Sequence, residues 1–365
     1  MKGHGRYKVD KIYASSLENN PVGSPVERDL SIYLPPDYYH FAGQRYPVIY
    51  FLHGYGGTNK NMTVPPSQPE RFNWAPPMIL ENIDWERSCD FLKLDKLIST
   101  GQMRPFILVQ PDASLHLPDK DDTYDFYTGE VRKKGSFYIN SPHTGNFEDY
   151  IIDDVIPYID MNYRTLAERK HRALMGTSMG GYGTLNILCR HAGKFAAAAA
   201  LSPANFTLDM LDWKLVVPMM EKALDRATAE KLGAQYYSDI LHTQDMICSR
   251  ERPLLDSIVR SPDGEIVSLD DDAARAWRAL DINLQAEQYA GNLRDIPVLR
   301  NCEATDEFGL ANAVTRLHDT FERLGVRHEW EIYSDPAAAE LSAHVFGIAY
   351  KIEPAIQFCL SHMAD

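Results

Sequence analysis

The stretch LMGTSMGG, residues 174–181, indicates the fold expected of this chain. Ser178 stands between Gly176 and Gly180, with an apolar run before it and apolar residues at helical spacing after it. A serine held at a sharp strand-to-helix turn needs glycine on both sides, because a Cβ there collides with the strand or the helix. The bare pattern also occurs in ordinary glycine-rich turns. The strand and helix signals around it favour an exposed, nucleophilic serine.

Strand and helix patterns alternate along the rest of the chain. Short apolar runs bounded by turn residues are typical of strands buried on both faces of a parallel sheet. They occupy residues 48–52, 106–109, 172–175, 196–201, 298–302 and 330–333, after an antiparallel start near residues 30–34. The clearest helix has apolar residues at 310, 314, 317, 321 and 324, and Pro157 should kink or shorten another over 150–163. The alternation predicts a mostly parallel α/β sheet flanked by helices, in one domain over residues 1–365.

Two stretches interrupt this rhythm. Residues 59–97 are rich in Pro and Asn and read as a loop insertion, while residues 205–294 are charged and read as a helical cap within the same domain. Aromatic side chains of the cap are candidates for lining a substrate pocket, and packing within the cap's own small core is an equally weighted alternative. These candidates are Trp213, Tyr236, Tyr237 and Trp277.

A serine nucleophile also needs donors for the oxyanion that forms on its substrate. Fixed backbone N–H groups serve best, because they do not reorganise during the reaction. The amide of Met179, directly after Ser178, is one candidate. The amide of Tyr55 is the other, because the glycine-rich loop 53–57 follows an apolar strand. His53 comes too early in the chain to be the base and is expected to hold this loop in place.

The order serine, acid, histidine expected on such a sheet selects the remaining candidates. His344 is the histidine that lies in a loop after the last predicted strand and just before the last helix, so it is the candidate base. Asp306 follows the strand 298–302 and is the candidate acid, because a carboxylate there can orient the imidazole. Glu303, Glu307 and Asp335 are its rivals for that role.

The charge balance excludes some classes of partner. The chain has 37 basic and 51 acidic residues, a net charge of −14. That balance opposes binding to nucleic acid or to an anionic membrane surface. No apolar run reaches membrane-span length and the N-terminus lacks a signal-peptide pattern, so a cytoplasmic protein is expected. A secreted protein whose leader had been removed would have the same sequence pattern.

Neither the cysteines nor the acidic residues form a known metal motif. Five cysteines are scattered without a CxxC pair, which favours free thiols over a single disulfide. The acidic stretch at residues 119–125 lacks the glycine and terminal glutamate of a calcium loop, which favours a solvated loop. No metal is expected at the catalytic candidates.

These motifs resemble the esterase D-like family, which includes feruloyl esterases, acetyl xylan esterases, S-formylglutathione hydrolases, enterochelin esterases and mycolyl transferases. About half of the chain takes part in the resemblance. The matching segments include SIYLPPDYY (31–39), YPVIYFLHGYGG (46–57), RPFILVQPD (104–112), NSPHTGNFEDYIIDDVIPYIDMNYRT (140–165), RALMGTSMGGYGTLNI (172–187), FAAAAALSPA (195–204) and IPVLRNCEATDEFGLANAVTRLHDTFERLG (296–325). Relatives often have glycine where Ala343 and Glu303 stand here.

The resemblance implies an α/β-hydrolase fold, no cofactor, and a triad of Ser178, Asp306 and His344. It implies a serine esterase acting on feruloyl-, cinnamoyl- or acetyl-type esters of carbohydrates, so that the partner is a small-molecule or oligosaccharide ester. An S-formylglutathione hydrolase or an acyltransferase with the same triad is the alternative. A catalytically silent binding protein is disfavoured, because no triad position is lost. The oligomeric state is not predicted.

Overall fold

The computed structural model describes residues 5–60, 84, 86–115, 134–206, 235–249, 258–264, 266–269, 271–340 and 342–365. Within these ranges the backbone forms fourteen strands, most of which build one central sheet. In chain order the strands are β1 (Arg6–Tyr13), β2 (Glu27–Leu34), β3 (Val48–Leu52), β4 (Ile107–Pro111), β5 (Ser114–Leu115), β6 (Lys134–Gly135), β7 (Asn140–Ser141), β8 (Gly145–Asn146), β9 (Arg172–Thr177), β10 (Ala197–Leu201), β11 (Ile258–Arg260), β12 (Ile266–Leu269), β13 (Val298–Glu303) and β14 (His328–Tyr333).

The central sheet has eight strands in the order β1-β2-β4-β3-β9-β10-β13-β14. The β1–β2 and β2–β4 pairs are antiparallel. Every other neighbouring pair, from β4 to β14, is parallel. The α/β class and the mostly parallel sheet predicted from the alternating pattern are therefore confirmed. The carboxyl ends of the parallel strands lie along one edge, where loops from distant parts of the sequence meet.

Helices connect the strands and cover the sheet. They are α1 (Phe91–Ser99), α2 (Phe147–Asp149), α3 (Ile156–Asn162), α4 (Met179–His191), α5 (Gln235–Cys248), α6 (Asp271–Arg278), α7 (Ile282–Gln288), α8 (Ala290–Leu293), α9 (Leu310–Leu324), α10 (Pro336–Ala339) and α11 (Ala343–Ser361).

Both faces of the sheet are buried, which explains the continuous apolar runs in the sequence. In β3, Val48 and Tyr50 belong to one hydrophobic cluster, which includes side chains of α4. The alternate residue Ile49 belongs to a second cluster on the opposite face, with side chains of α1 and α11. A strand covered on both faces has no position at which a polar side chain meets water, so alternation disappears.

The predicted helix over residues 150–163 is interrupted as Pro157 requires. A π-helical segment, Tyr150–Val155, precedes α3, and Pro157 lies in the first turn of α3. Proline has no N–H to donate and its ring crowds the preceding turn, so the backbone widens before it. The segment between β14 and α11 was predicted to be a loop, but it contains the short helix α10, which begins at a proline.

The stretch read as a helical cap is only partly helical. It contains α5 to α8, but a two-stranded antiparallel sheet of β11 and β12 stands between α5 and α6. Residues 207–234, 250–257, 265 and 270 of this stretch lie outside the described residues, as do 61–83 and 85 of the predicted loop insertion. The end of that insertion, residues 91–97, is not a loop but part of α1, which packs into the core.

All five cysteines are free thiols, and four of them are buried. Among the described residues, no helix combines the length and hydropathy that a membrane span requires.

Candidate active site

The nucleophile candidate lies at the junction of β9 and α4. Ser178 has φ 54° and ψ −116°, a conformation that L-residues rarely adopt and that must be held by its surroundings. Its N–H donates to the carbonyl of Leu201 over 2.8 Å, and its carbonyl accepts from the N–H groups of Tyr182 and Ala204, each over 3.0 Å. These bonds tie the turn to the end of β10. The side chain itself is partly exposed.

The two glycines beside Ser178 are required by close backbone contacts. A Cβ on Gly176 would stand 2.2 Å from the carbonyl oxygen of Gly180. A Cβ on Gly180 would stand 2.0 Å from the carbonyl oxygen of Leu52, at the end of β3. No real Cβ tolerates such approaches to backbone, so this turn can form here only with glycine at both positions.

Gly180→Ala is expected to lower the free energy of unfolding by at least about 3 kcal/mol, because the new methyl group meets backbone that cannot move aside. The change is measured by chemical denaturation. Gly291→Ala is the matched control: this glycine also lies in a helix, and a Cβ there meets nothing within 4 Å. The control should be neutral or stabilising by up to about 1 kcal/mol. Equal midpoints for the two variants would contradict the close packing at Gly180.

The structure brings Asp306 and His344 into contact. Asp306 lies in the loop after β13, and His344 is the second residue of α11. Asp306 Oδ2 and His344 Nδ1 are 2.6 Å apart, and the two residues are only 6% and 7% exposed. A carboxylate can only accept, so the Nδ1 proton points at Asp306, and Nε2 is the ring nitrogen left to exchange a proton with another group. A general base has to present such a nitrogen.

Further contacts hold the acid and the ring in place. The N–H of Phe308 donates to Asp306 Oδ1 over 3.0 Å, and the Phe308 ring packs edge-on against His344 with centroids 4.8 Å apart. Cys302 Sγ lies 3.5 Å from Asp306 Oδ2. Burial raises the pKa of the Cys302 thiol, and the Asp306 charge acts in the same direction, so the thiol stays protonated and can donate.

The rival carboxylates in the same loops are engaged elsewhere. Glu303 accepts from the Thr305 hydroxyl over 2.7 Å and from the Asp335 N–H over 3.1 Å, which joins the loops after β13 and β14. Asp335 caps α10 and pairs with Arg87. Neither of these carboxylates is bonded to the imidazole, which leaves Asp306 as its carboxylate partner among the described contacts.

Glu307 has a position that the sequence did not reveal. Its Oε2 accepts the backbone N–H of His344 over 2.9 Å, and its Oε1 accepts from the Ser342 hydroxyl. Ser342 in turn caps α11 by accepting from the N–H of Val345 over 3.2 Å. Glu307 thus fixes the backbone that carries the imidazole. In the sequence, the one signal for Glu307 was its position next to Asp306. That position did not distinguish a carboxylate that orients the imidazole from one that binds the backbone of His344.

The glycine-rich loop 53–57 lies beside the serine. A Cβ placed on Gly54 would be 3.5 Å from the Cβ of Ser178, so the loop backbone borders the nucleophile directly. Met179 is the first residue of α4, where a helix has no acceptor for the N–H groups of its opening turn. Its amide therefore has no acceptor within the helix, and its role as an oxyanion donor stays a prediction.

His53 fixes the peptide that carries the second candidate donor. Its Nε2 accepts the N–H of Ala113 over 3.1 Å, so the proton is on Nδ1, which donates to the Gly54 carbonyl over 2.8 Å. The N–H of Gly57 donates to the same carbonyl over 3.0 Å. The Gly54 carbonyl and the Tyr55 N–H belong to one trans peptide and point in opposite directions. The Tyr55 N–H therefore points away from the His53 Nδ1–H and the Gly57 N–H, and the two bonds that these groups make to the Gly54 carbonyl fix its direction.

Of the four substrate-binding candidates, Trp277 is the one whose side chain the structure describes. Trp277 is only 3% exposed and packs against Phe206 with ring centroids 5.5 Å apart. Phe206 in turn contacts Tyr182, whose hydroxyl donates to the Leu280 carbonyl over 2.8 Å. Trp277 therefore packs into the main hydrophobic core and not into a separate small core of the cap. Trp213 lies outside the described residues, and so do the side chains of Tyr236 and Tyr237 on α5.

Comparisons with known proteins agree with this architecture. A family model described as "Putative esterase" matches residues 25–319. Over 177 residues the chain is 30% identical to an esterase of Mycobacterium tuberculosis, covering 48% of this chain and 29% of that protein. Over 179 residues it is 31% identical to an endo-1,4-beta-xylanase/feruloyl esterase of Xylanibacter ruminicola, covering 48% and 19%. The chain thus spans less than a third of the length of these relatives.

Among solved structures, an S-formylglutathione hydrolase from Agrobacterium tumefaciens aligns with a TM-score of 0.57 and 16% identity, over 100% of this chain and 99% of that one. A likeness at this identity concerns the fold alone. It confirms the α/β-hydrolase fold expected from the sequence.

Proposed function

We propose that this chain hydrolyses carboxylic esters through an acyl-enzyme on Ser178. The chain belongs to the esterase family whose model covers residues 25–319. The observation that carries the proposal is the 2.6 Å contact between Asp306, in the loop after β13, and His344, in the first turn of α11. Serine, carboxylate and imidazole, in this order along the chain, are the groups that acyl transfer needs.

In the proposed first step, Ser178 Oγ attacks the ester carbonyl while His344 Nε2 takes the hydroxyl proton. Asp306 stabilises the imidazolium that forms and keeps the ring oriented. Negative charge develops on the carbonyl oxygen, where the amides of Met179 and Tyr55 are proposed to bind it. These donors belong to a helix start and a fixed peptide, so they need no rearrangement as the charge appears.

In the second step the intermediate collapses, the imidazolium gives its proton to the departing alcohol oxygen, and the acyl group remains on Ser178. Water then attacks the acyl carbonyl, again losing a proton to His344. The acid product leaves and Ser178 recovers its hydrogen. An acyltransferase would follow the same course with an alcohol in place of water, which is why the acceptor has to be measured.

The proposed substrates are feruloyl-, cinnamoyl- or acetyl-type esters of carbohydrates. The support is the similarity to a xylanase/feruloyl esterase of Xylanibacter ruminicola and the family to which the chain belongs. A second candidate is S-formylglutathione, because the solved hydrolase named for that thioester aligns over the whole chain. Both candidates would react through an acyl-enzyme on Ser178, and they differ in the acyl group and the leaving group.

The test has two parts. A fluorophosphonate should label one residue per chain, and mass spectrometry of the digested protein should find the label on Ser178. Turnover of methyl ferulate, an acetylated xylo-oligosaccharide, S-formylglutathione and short p-nitrophenyl esters is then compared side by side, with and without added methanol. We expect ester hydrolysis that the label abolishes. Labelling at another residue, or no turnover of any ester, would contradict the proposal, and methyl ester formation would identify a transferase.

A further inference from the structure

Three side chains with metal-binding atoms meet between α9 and β14. His318 and Glu322 are four residues apart on α9 and so lie on one face of that helix. His328 is the first residue of β14. The candidate ligand atoms of the three residues all lie within 4.8 Å of one another. This cluster stands apart from the catalytic candidates: it is at the beginning of β14, whereas His344 follows the end of that strand.

The two rings already share a hydrogen bond at the centre of the cluster. His318 Nδ1 and His328 Nε2 are 2.9 Å apart, and His328 Nδ1 lies 2.7 Å from the carbonyl oxygen of Val326. A carbonyl only accepts, so His328 carries its proton on Nδ1 and presents a bare Nε2 to His318. A histidine whose second nitrogen is fixed by a carbonyl is the usual arrangement at metal sites, because that bond sets both tautomer and ring orientation.

Neighbouring aromatic rings fix both imidazoles. His318 stacks on Trp330 with ring centroids 3.9 Å apart and an interplanar angle of 15°. His328 packs edge-on against Phe321, with centroids 5.4 Å apart, and its side chain is only 2% exposed. The nitrogen positions are therefore set before any ligand arrives, which reduces the ordering that binding requires.

Charge in the cluster is mixed. The Glu322 carboxylate, 68% exposed, has its Oε1 3.8 Å from His328 Nε2. The buried Arg300 guanidinium packs over the ring of Phe321, which also contacts His328, with Cζ 4.5 Å from the ring centroid. Its positive charge opposes the binding of a cation nearby.

We infer that His318 Nδ1, Glu322 Oε1 and His328 Nε2 bind a divalent cation of the zinc class, with water from the exposed side as the fourth ligand. Tetrahedral zinc with bonds of about 2.0–2.1 Å needs its donor atoms roughly 3.4 Å apart. The observed separations of 2.9 Å and 3.8 Å lie on either side of that value. On binding, the His318 proton moves from Nδ1 to Nε2 and the bond between the rings is replaced by the metal.

Two imidazoles and one carboxylate select the metal. This donor set suits zinc and its neighbours cobalt, nickel and copper, whereas magnesium and calcium prefer oxygen ligands alone. The bound ion would join α9 to β14 through residues only a few positions apart in sequence, so it would act on stability and leave ester turnover unchanged.

The metal-free full chain is titrated with Co²⁺ and then with Zn²⁺. We expect one Co²⁺ per chain with the visible absorbance of a four-coordinate site, and quenching of Trp330 fluorescence, because this ring stacks on a proposed ligand. Zn²⁺ should displace the cobalt and raise the thermal unfolding midpoint, and Mg²⁺ should do neither. A wild-type chain that binds no Co²⁺ or Zn²⁺, or one that Mg²⁺ saturates equally well, would overturn the inference.

Glu322→Gln provides the matched test, because this exposed side chain can change without disturbing the fold. Loss of a ligand should weaken Co²⁺ and Zn²⁺ binding by at least about 10-fold, since even residues that only support a ligand change affinity by that amount. Glu329 is an exposed carboxylate next to His328 on β14, and Glu329→Gln should bind the metal as the wild type does. His328→Gln should abolish the cobalt spectrum. Equal affinities for Glu322→Gln and the wild type would overturn the assignment of this carboxylate as a ligand.

Discussion

Ser178→Ala is expected to reduce ester turnover by about 10⁴- to 10⁶-fold while leaving the fold intact. The variant removes the only atom proposed to bond to the acyl group, so no acyl-enzyme can form. The proposed oxyanion donors are backbone amides and survive the change, which accounts for a small residual rate. Alanine is smaller than the serine it replaces, and the side chain is already partly exposed, so circular dichroism and the unfolding midpoint should match the wild type.

The measurement is the initial rate on the best substrate of the ester panel, at substrate concentrations that separate kcat from KM. Residual turnover has to be tested with the fluorophosphonate, since a contaminating esterase would be inhibited and the variant would not. A folded Ser178→Ala protein that retains most of the activity would refute Ser178 as the nucleophile.

Asp306→Asn should lower kcat by roughly 10³- to 10⁴-fold, with a smaller change in KM. The amide has nearly the same shape as the carboxylate, so the 2.6 Å contact with His344 can persist. The variant lacks the negative charge that stabilises the imidazolium. The amide can also donate, so it no longer fixes the ring proton on Nδ1. The defect therefore belongs to the transition state and not to substrate binding.

Glu303→Gln is the comparison that separates the acid from its neighbour. Glu303 joins two loops through Thr305 and Asp335 and has no bond to the imidazole. Its replacement should destabilise the protein by about 1–3 kcal/mol and lower kcat by less than about 10-fold. If instead kcat falls as far in Glu303→Gln as in Asp306→Asn, the assignment of the acid is wrong.

The parts of this architecture that the sequence predicts are those with strong local requirements. Gly176 and Gly180 are needed by contacts between backbones, and any sequence that makes this turn must have them. The strands of the sheet interior read as continuous apolar runs because both faces are buried. His344 could be selected because, after Ser178, it is the histidine predicted to lie in a loop beyond the last strand, although the structure places it in the first turn of α11.

The contacts among side chains in the loops after β13 and β14 could not be predicted in the same way. Glu303, Asp306 and Glu307 lie within five positions, and each has a different partner: a loop backbone, an imidazole, and the backbone that carries the imidazole. Which carboxylate takes which partner depends on the path of each loop, and no local pattern records that path. The pair of strands β11 and β12 inside a charged stretch was not predicted, because the strands are short and most of their described side chains are exposed.

The position of β14 affects the order in which activity and structure are lost during unfolding. Ser178 follows β9, in the middle of the sheet, whereas Asp306 follows β13 and His344 follows β14, the outermost strand on that side. Apart from the His328 side chain, β14 is half-buried or exposed along its length and pairs only with β13 among the described strands, so opening at this rim exposes little apolar surface. Mild heating or denaturant is therefore expected to loosen β14 and the loop that leads to His344 while α11 and the interior of the sheet persist, so ester turnover should decline before the core unfolds.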